Sequence, residues 1–491
     1  MAMKDKQINH TKLLSGLYTI NRWWDGKEVP KSIKRAEYRR RDFYTIKKKI
    51  EKSKRPIIPI YGPRQVGKTT ITGQLIDYLL KNRVKEPEQI LYFSLDMASI
   101  SSDMENIIED AITLYEENIL KESFENTEKQ VYIFIDEIQK AKDWPEKLKY
   151  YEGTYSNLKF IVTGSISTLI DKNARETLVG RIDPYLLLPF KYIEYVSKEG
   201  ILDKDTELDL SRALKRALKE TVSGEKENFF STATKIKARL ESKKPELMSQ
   251  KDEYLLKGGY PGIIDDDYAT SFSILDEDLK NTLSDIRRVY NLSSEKNLLK
   301  LLEIIAYSSG KSLNIQNVSE KTGISRTTLY NYLDYLENFF LVDRSEKFSR
   351  TPMKNYKKKK FYITDPGILN TLNNTMSRKT LENTDEMGRI VQTTAYTMSK
   401  RLQYFLSDYQ NAEVNFRDKD GEVDLIMATP RYEVPIEVKN GDTRKKQLKG
   451  MKKFLKSSKK AKIGIALNNS DVLDKEGRII HLPLWLYLFM I

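Results

Sequence analysis

Polar, basic text opens the chain and gives way at Pro56-Ile-Ile-Pro-Ile60 to a short apolar run that predicts a buried strand. Two further runs of this kind, Val131-Tyr-Ile-Phe-Ile135 and Leu158-Lys-Phe-Ile-Val162, recur between helical stretches, so residues 49–195 read as alternating strands and helices. Strands apolar on both faces belong to parallel sheets covered on both sides. From residue 196 to about 290 the text turns helical and heavily charged, and Gly258-Gly-Tyr-Pro-Gly262 breaks it. Residues 291–365 predict a helix over 298–307, a short helix over 315–322, a turn at Gly323 and a second helix that Ser325 caps and that ends at Glu337. A strand pair over 340–348 and 360–364 follows, giving winged-helix order. Beyond residue 385 the pattern predicts a helix over 386–405 and strands over 414–417, 422–428 and 433–439. A basic helix over 443–457 and a strand over 461–467 complete the series.

Gly62-Pro63-Arg64-Gln65-Val66-Gly67-Lys68-Thr69-Thr70 stands between the first strand and a helix, which is the arrangement of a phosphate-binding loop. The glycines let the backbone curl round a phosphate, and the helix points unpaired N–H groups at the anion. Lys68 is then placed for the β and γ phosphates and Thr69 for magnesium. The strand ending in Asp136-Glu137 supplies the other half: Asp136 to hold magnesium with Thr69, and Glu137 to orient the attacking water. Arg175 and Arg181 are candidates for neutralising charge during phosphoryl transfer, with surface ion pairing as the competing role.

Composition narrows the chemistry. The 491 residues include no cysteine and only His10 and His481, so thiolate chemistry is excluded and histidine metal sites nearly so. Carboxylates, hydroxyls, lysine and arginine remain. No apolar stretch is long enough to span a bilayer, which predicts a cytoplasmic protein without a membrane partner. The net charge of +14 lies mostly in residues 1–48 and the carboxyl-terminal third, and favours a polyanion, DNA being the expected one. Arg326, Thr327, Thr328, Tyr330 and Asn331 are expected on the exposed face of the second helix. The tract Lys354-Asn-Tyr-Lys-Lys-Lys-Lys360, with Tyr356 and Tyr362 interleaved, is read as either a phosphate contact or a solvated loop.

Strand parity points to a second site. Glu437 and Lys439 share a face, and a four-residue hairpin loop at 429–432 sets Asp424 opposite Glu437. Two such carboxylates are candidate ligands for a second divalent metal, with Lys439 stabilising charge on a phosphodiester; a salt-bridged strand pair is the alternative. Arg444, Lys445, Lys446, Lys449, Lys452 and Lys453 line the adjacent helix, opposite a predicted buried stripe of Leu448, Met451 and Leu455.

Together these residues resemble the AAA-type ATP-binding proteins of archaea and bacteria whose carboxyl-terminal region combines a winged helix with a PD-(D/E)XK nuclease-like fold. The marks are the loop, Phe134-Ile-Asp-Glu-Ile-Gln139, Val162-Thr-Gly-Ser165, Glu176-Thr-Leu-Val-Gly-Arg181, Leu188-Pro-Phe190, Gly258-Gly-Tyr-Pro261, Phe361-Tyr-Ile-Thr-Asp-Pro-Gly367, Glu422-Val-Asp-Leu-Ile426 and Ile436-Glu-Val-Lys439. The resemblance implies an α/β fold: a basic leader (1–48), a P-loop AAA-type domain (49–195), a helical lid with a charged insertion (196–290), a winged helix (291–365) and an αβββαβ nuclease-like domain (366–491). It implies ATP and magnesium as cofactors, and Ser165 or Thr163 as a sensor of the γ-phosphate. An arginine from a neighbouring copy often completes the site in such proteins, so Arg175 and Arg181 leave cis action and a homo-oligomer both open.

One departure concerns the helix Gly388-Arg-Ile-Val-Gln392. Nucleases of this fold usually carry a metal-side glutamate where this chain has Gln392, which weakens cation binding. Two functions therefore stand. One is an ATPase that acts on DNA and cuts it with a metal. The other is a nucleotide-gated switch or protein remodeller whose nuclease-like module is inactive.

Overall fold

The computed structural model describes residues 2–97, 106–165, 176–349, 359–408, 413–418, 421–444 and 448–491. Two compact units divide the chain, Met1–Leu188 and Pro189–Ile491.

In the first unit the apolar runs form β1 (Ile57–Tyr61), β2 (Ile90–Ser94), β3 (Val131–Asp136), β4 (Leu158–Gly164) and the short β5 (Tyr185–Leu186). They make one sheet in the order β2-β3-β4-β1-β5, every pairing parallel. A parallel sheet brings all its strand ends to one edge, so the loop after β1 and the acids ending β3 share that edge. Ile133, Ile135, Phe160 and Val162 are buried against Ile108, Ile112 and Leu148 of the covering helices. The leader seals β2, which has a partner on one side only. The Asn21 amide donates to the Tyr92 carbonyl at 2.8 Å and accepts from its N–H at 2.7 Å, standing in for a neighbouring strand. Trp23 and Trp24 both donate to the Ile90 carbonyl, at 3.1 and 2.9 Å.

The second unit opens with helices, among them Lys204–Ser223, Phe229–Arg239, Lys244–Lys257 and Tyr268–Val289. Helices Ile315–Thr322 and Arg326–Asn338 follow, joined across Gly323 at φ +75°. Ser325 accepts the Thr328 N–H at 3.1 Å, the cap that the sequence predicts. Arg326, Thr327, Tyr330 and Asn331 are exposed, whereas Thr328 is half-buried and bonded to Ser325. The strand pair is β6 (Val342–Glu346) and β7 (Lys359–Ile363), antiparallel, the first shorter than expected and the second of the expected length. It lies along the larger sheet: the Ser345 hydroxyl donates to the Val414 carbonyl and the Phe348 N–H to the Phe416 carbonyl, each at 2.7 Å.

This packing corrects one expectation. Lys360 is buried, its ammonium 4.9 Å from the Phe416 ring centre, and Tyr362 is fully buried, so neither faces a phosphate backbone. Residues 354–358 of that tract lie outside the described residues.

The larger sheet contains β8 (Val414–Arg417), β9 (Val423–Ala428), β10 (Glu433–Lys439), β11 (Gly464–Asn468), β12 (Asp474–Glu476) and β13 (Ile479–Pro483), in the order β12-β13-β11-β10-β9-β8. Helix Thr384–Leu406 precedes it and helix Lys449–Ser457 connects β10 to β11, which run parallel. Leu448, Met451 and Leu455 are buried, with Lys449, Lys452 and Lys453 exposed on the other side of that helix. Among the described residues no helix is long and apolar enough to cross a membrane.

Within this unit the Asp365 carboxylate accepts from the N–H of Gly259 at 3.0 Å and of Gly367 at 2.8 Å. Burial pushes Asp365 up to about 6 despite those bonds.

Candidate functional site

The shape of the loop is set by its own residues. A Cβ on Gly62 would stand 2.0 Å from the Leu187 carbonyl oxygen, so only glycine lets the loop leave β1 so close to the neighbouring strand. Gly67, at φ +92°, caps helix Lys68–Asn82 and faces open space. Val66 is buried, Arg64 and Gln65 are exposed, and Pro63, Thr69 and Thr70 are half-buried. The Lys68 ammonium lies across the loop, donating to the carbonyls of Gly62 at 3.1 Å and Pro63 at 2.7 Å.

A residue of the leader braces the loop from behind. Arg40 is buried and donates to the Val66 carbonyl at 3.2 Å and the Leu188 carbonyl at 2.9 Å, with Asp42 pairing its Nε at 2.7 Å. In the sequence Arg39-Arg40-Arg41 is a run of positive charge, and nothing in it marks which arginine turns inward.

Asp136 gathers the carboxyl edge of the sheet. The Thr69 hydroxyl donates to its Oδ2 at 2.8 Å, the Tyr92 hydroxyl to the same oxygen at 3.3 Å, and the Thr163 hydroxyl to Oδ1. Thr163 in turn accepts the Glu137 N–H at 3.3 Å. Burial, with Asp136 alongside, holds the Tyr92 phenol well above its ordinary range. Glu137 sits at φ +57° just past β3, and the Gln139 amide donates to its carboxylate. Gly164 is in register with Tyr61, so Ser165 leaves β4 beside the start of the loop. Thr69 and Asp136 are adjacent hard oxygen donors, and this pair fits a magnesium ion.

Arg181 is not brought to this edge. Its carbonyl accepts the Ile57 N–H at 3.3 Å, at the start of β1, about 13–17 Å of strand away from the loop. Its side chain pairs with Glu152 at 2.6 Å. Arg175 lies outside the described residues.

Residues 54–196 match the family described as an AAA domain. Residues 248–379 and 388–487 match two families described as domains of unknown function, DUF8612 and DUF4143. The chain is 25% identical over 479 residues to "Uncharacterized protein MJ1637" of Methanocaldococcus jannaschii, covering 93% of this chain and 90% of that protein. It is 22% identical over 326 residues to an uncharacterised protein of Haemophilus influenzae, covering 63% of this chain and 67% of that one. Among solved structures, the Walker-type ATPase PABY2304 of Pyrococcus abyssi aligns at TM-score 0.36 and 16% identity, over 69% of this chain and 96% of that chain. The Aeropyrum pernix Orc1 protein in complex with DNA aligns at 0.26 and 11%, over 69% and 90%.

The AAA-domain match contains every loop-site residue from Gly62 to Ser165, and with the loop geometry it supports nucleotide binding and hydrolysis. The second cluster falls inside the carboxyl-terminal match. β9 and β10 pair from Ala428 opposite Glu433 to Leu425 opposite Ile436, and Asp424 and Glu437 are the next residues beyond the last pair. Asp424 Oδ2 accepts the Val438 N–H at 2.9 Å and lies 3.4 Å from the Lys439 ammonium; its Oδ1 accepts from the Gln392 amide at 3.4 Å. Lys439 also pairs with Glu437 Oε1 at 2.8 Å, while Glu437 Oε2 is buried with no hydrogen-bond partner. Burial, then the Asp424 charge, push Glu437 up to about 7 against the pull of Lys439.

Among the described residues no group of three or more histidine, aspartate or glutamate side chains is placed to hold a metal ion. Asp424 and Glu437 have an ammonium between them where a divalent ion would sit, and the third position is the neutral Gln392. As arranged, these residues fit a lysine-neutralised pair and do not fit a metal cage.

Proposed function

We propose that the protein is an ATPase acting on DNA in the cytoplasm, whose nucleotide state governs DNA binding by the region from residue 291 onward. The observation that carries the nucleotide half is the chain Thr69–Asp136–Thr163–Glu137, which ties the loop to the acid pair. Main-chain N–H groups of the loop and Lys68 hold the β and γ phosphates, Lys68 exchanging loop carbonyls for phosphate oxygens. Bound magnesium supplies charge neutralisation, and Thr69 and Asp136 are the residues that hold it. Glu137 orients the attacking water once Gln139 releases its carboxylate, and Ser165 contacts the γ-phosphate from the end of β4. A role for Arg181 at a nucleotide requires a second copy of the chain, and sedimentation with and without ATP tests for one.

The DNA half is supported by the exposed Arg326, Thr327, Tyr330 and Asn331 on one winged-helix-like face and by the exposed Lys449, Lys452 and Lys453 on the helix that connects β10 to β11. A second reading, a module that grips DNA without cutting it, is favoured by Lys439 filling the space between the carboxylates and by Gln392 on Asp424. Filter binding of single-stranded, duplex and junction DNA, with and without ATP and magnesium, tests both. DNA affinity that falls steeply with salt and changes with nucleotide supports the proposal, and cleaved product decides for the first reading. Absence of binding to every DNA form overturns the DNA half.

A further inference from the structure

We propose that Tyr307 is a stacking platform for an unpaired base of single-stranded DNA beside the Asp424–Glu437–Lys439 cluster. The inference rests on the DNA reading above and names the form of DNA this site takes.

Tyr307 ends helix Lys296–Tyr307 and, at 71%, is the most exposed large apolar side chain among the described residues. One face is backed: the Arg389 guanidinium lies 5.0 Å from the ring centre and is itself held by Glu386 at 2.8 Å. The opposite face is where a flat partner adds.

Two connections fix this ring beside the carboxylate cluster. Arg389 and Gln392 are one turn apart on helix Thr384–Leu406, about 5–6 Å between side-chain origins, and the Gln392 amide donates to Asp424. Independently, Gly310 packs on Gln392, since a Cβ there would stand 2.7 Å from its Oε1. The intervening segment is tied down at both Ser309, whose hydroxyl meets Thr393 at 2.8 Å, and Gly310, whose N–H donates to the Phe361 carbonyl at 3.0 Å. Tyr307 is therefore held by a rigid turn.

The chemistry selects the ligand. A ring backed by a guanidinium offers an amphipathic flat surface that suits a nucleobase. Paired bases are already stacked on both faces, so only an unpaired base has a face to give.

The test uses the full chain and a labelled oligonucleotide, single-stranded and as a duplex, followed by anisotropy over a range of salt. Tyr307→Ala weakens single-strand binding by about 5- to 100-fold, the range one stacked base supplies, and leaves duplex binding within about twofold. Tyr307→Phe retains single-strand affinity, and the salt dependence of Tyr307→Ala stays that of the parent because no phosphate contact is lost. Equal loss on both DNA forms, or undiminished single-strand binding, overturns the inference and leaves the DNA reading standing. A parent protein that binds no DNA overturns both.

Discussion

The Thr69 hydroxyl donates to the Asp136 carboxylate across 2.8 Å, joining the first turn of the loop helix to the end of a strand that is not its sheet neighbour. The two halves of the proposed nucleotide site are thus tied together by side chains of the chain itself. In the proposed mechanism Lys68 and Gln139 exchange these internal partners when nucleotide binds.

Arg40 extends that assembly into the leader. Arg40→Ala strips the Val66 and Leu188 carbonyls of their donor and leaves Asp42 without its partner at Nε. The expected cost is about 1–3 kcal/mol of stability and roughly tenfold in ATP affinity. Arg40→Lys does not restore both carbonyl bonds, because an ammonium lacks the guanidinium fork. Calorimetric ATP titration and urea unfolding of the two variants check this.

Lys439 keeps two carboxylates together. Lys439→Ala leaves Asp424 and Glu437 facing each other without a cation and lowers stability by about 1–3 kcal/mol. Adding Glu437→Gln to that variant removes one charge and recovers part of the loss. Urea midpoints of the single and double variants measure the coupling. A double variant less stable than Lys439→Ala contradicts the arrangement.

Asp365 gives a pH signature. Its folded value of about 6 lies above the ordinary 3.8, so the folded state holds the proton more tightly than the unfolded chain. Its contribution is fully present below about pH 4 and is lost as pH rises through 6, amounting to about 3 kcal/mol. Asp365→Asn removes this dependence. The stability difference between parent and variant therefore shifts against the parent between pH 4 and 6, measured by unfolding at each pH.

Much of this was legible in the residues. β1, β3 and β4 were visible as apolar runs because central parallel strands bury both faces, and the carboxyl-terminal register followed from strand parity and a four-residue loop that the structure retains. Edge elements carried weaker signals. β5 has two residues and β12 is wholly exposed, so neither shows a pattern of its own; β2 (Ile90–Ser94) is as long and as apolar as β1, but no phosphate loop or acid pair follows it. The burial of Lys360 and Tyr362 depends on how the β6–β7 ribbon lies along β8, a contact between segments distant in the chain. Arg40 escaped for the same reason. A charged side chain turned inward is specified by carbonyls far away in sequence.

ATP binding and ATP turnover, measured side by side in the parent, Lys68→Ala and Glu137→Gln proteins, test the central claim most directly. The account predicts that the parent binds and hydrolyses ATP with magnesium and that Lys68→Ala loses at least about tenfold in affinity. It predicts that Glu137→Gln binds normally while its turnover falls by about 10²-fold or more. A parent that retains no ATP, or a Glu137→Gln protein that turns over as fast as the parent, would contradict it.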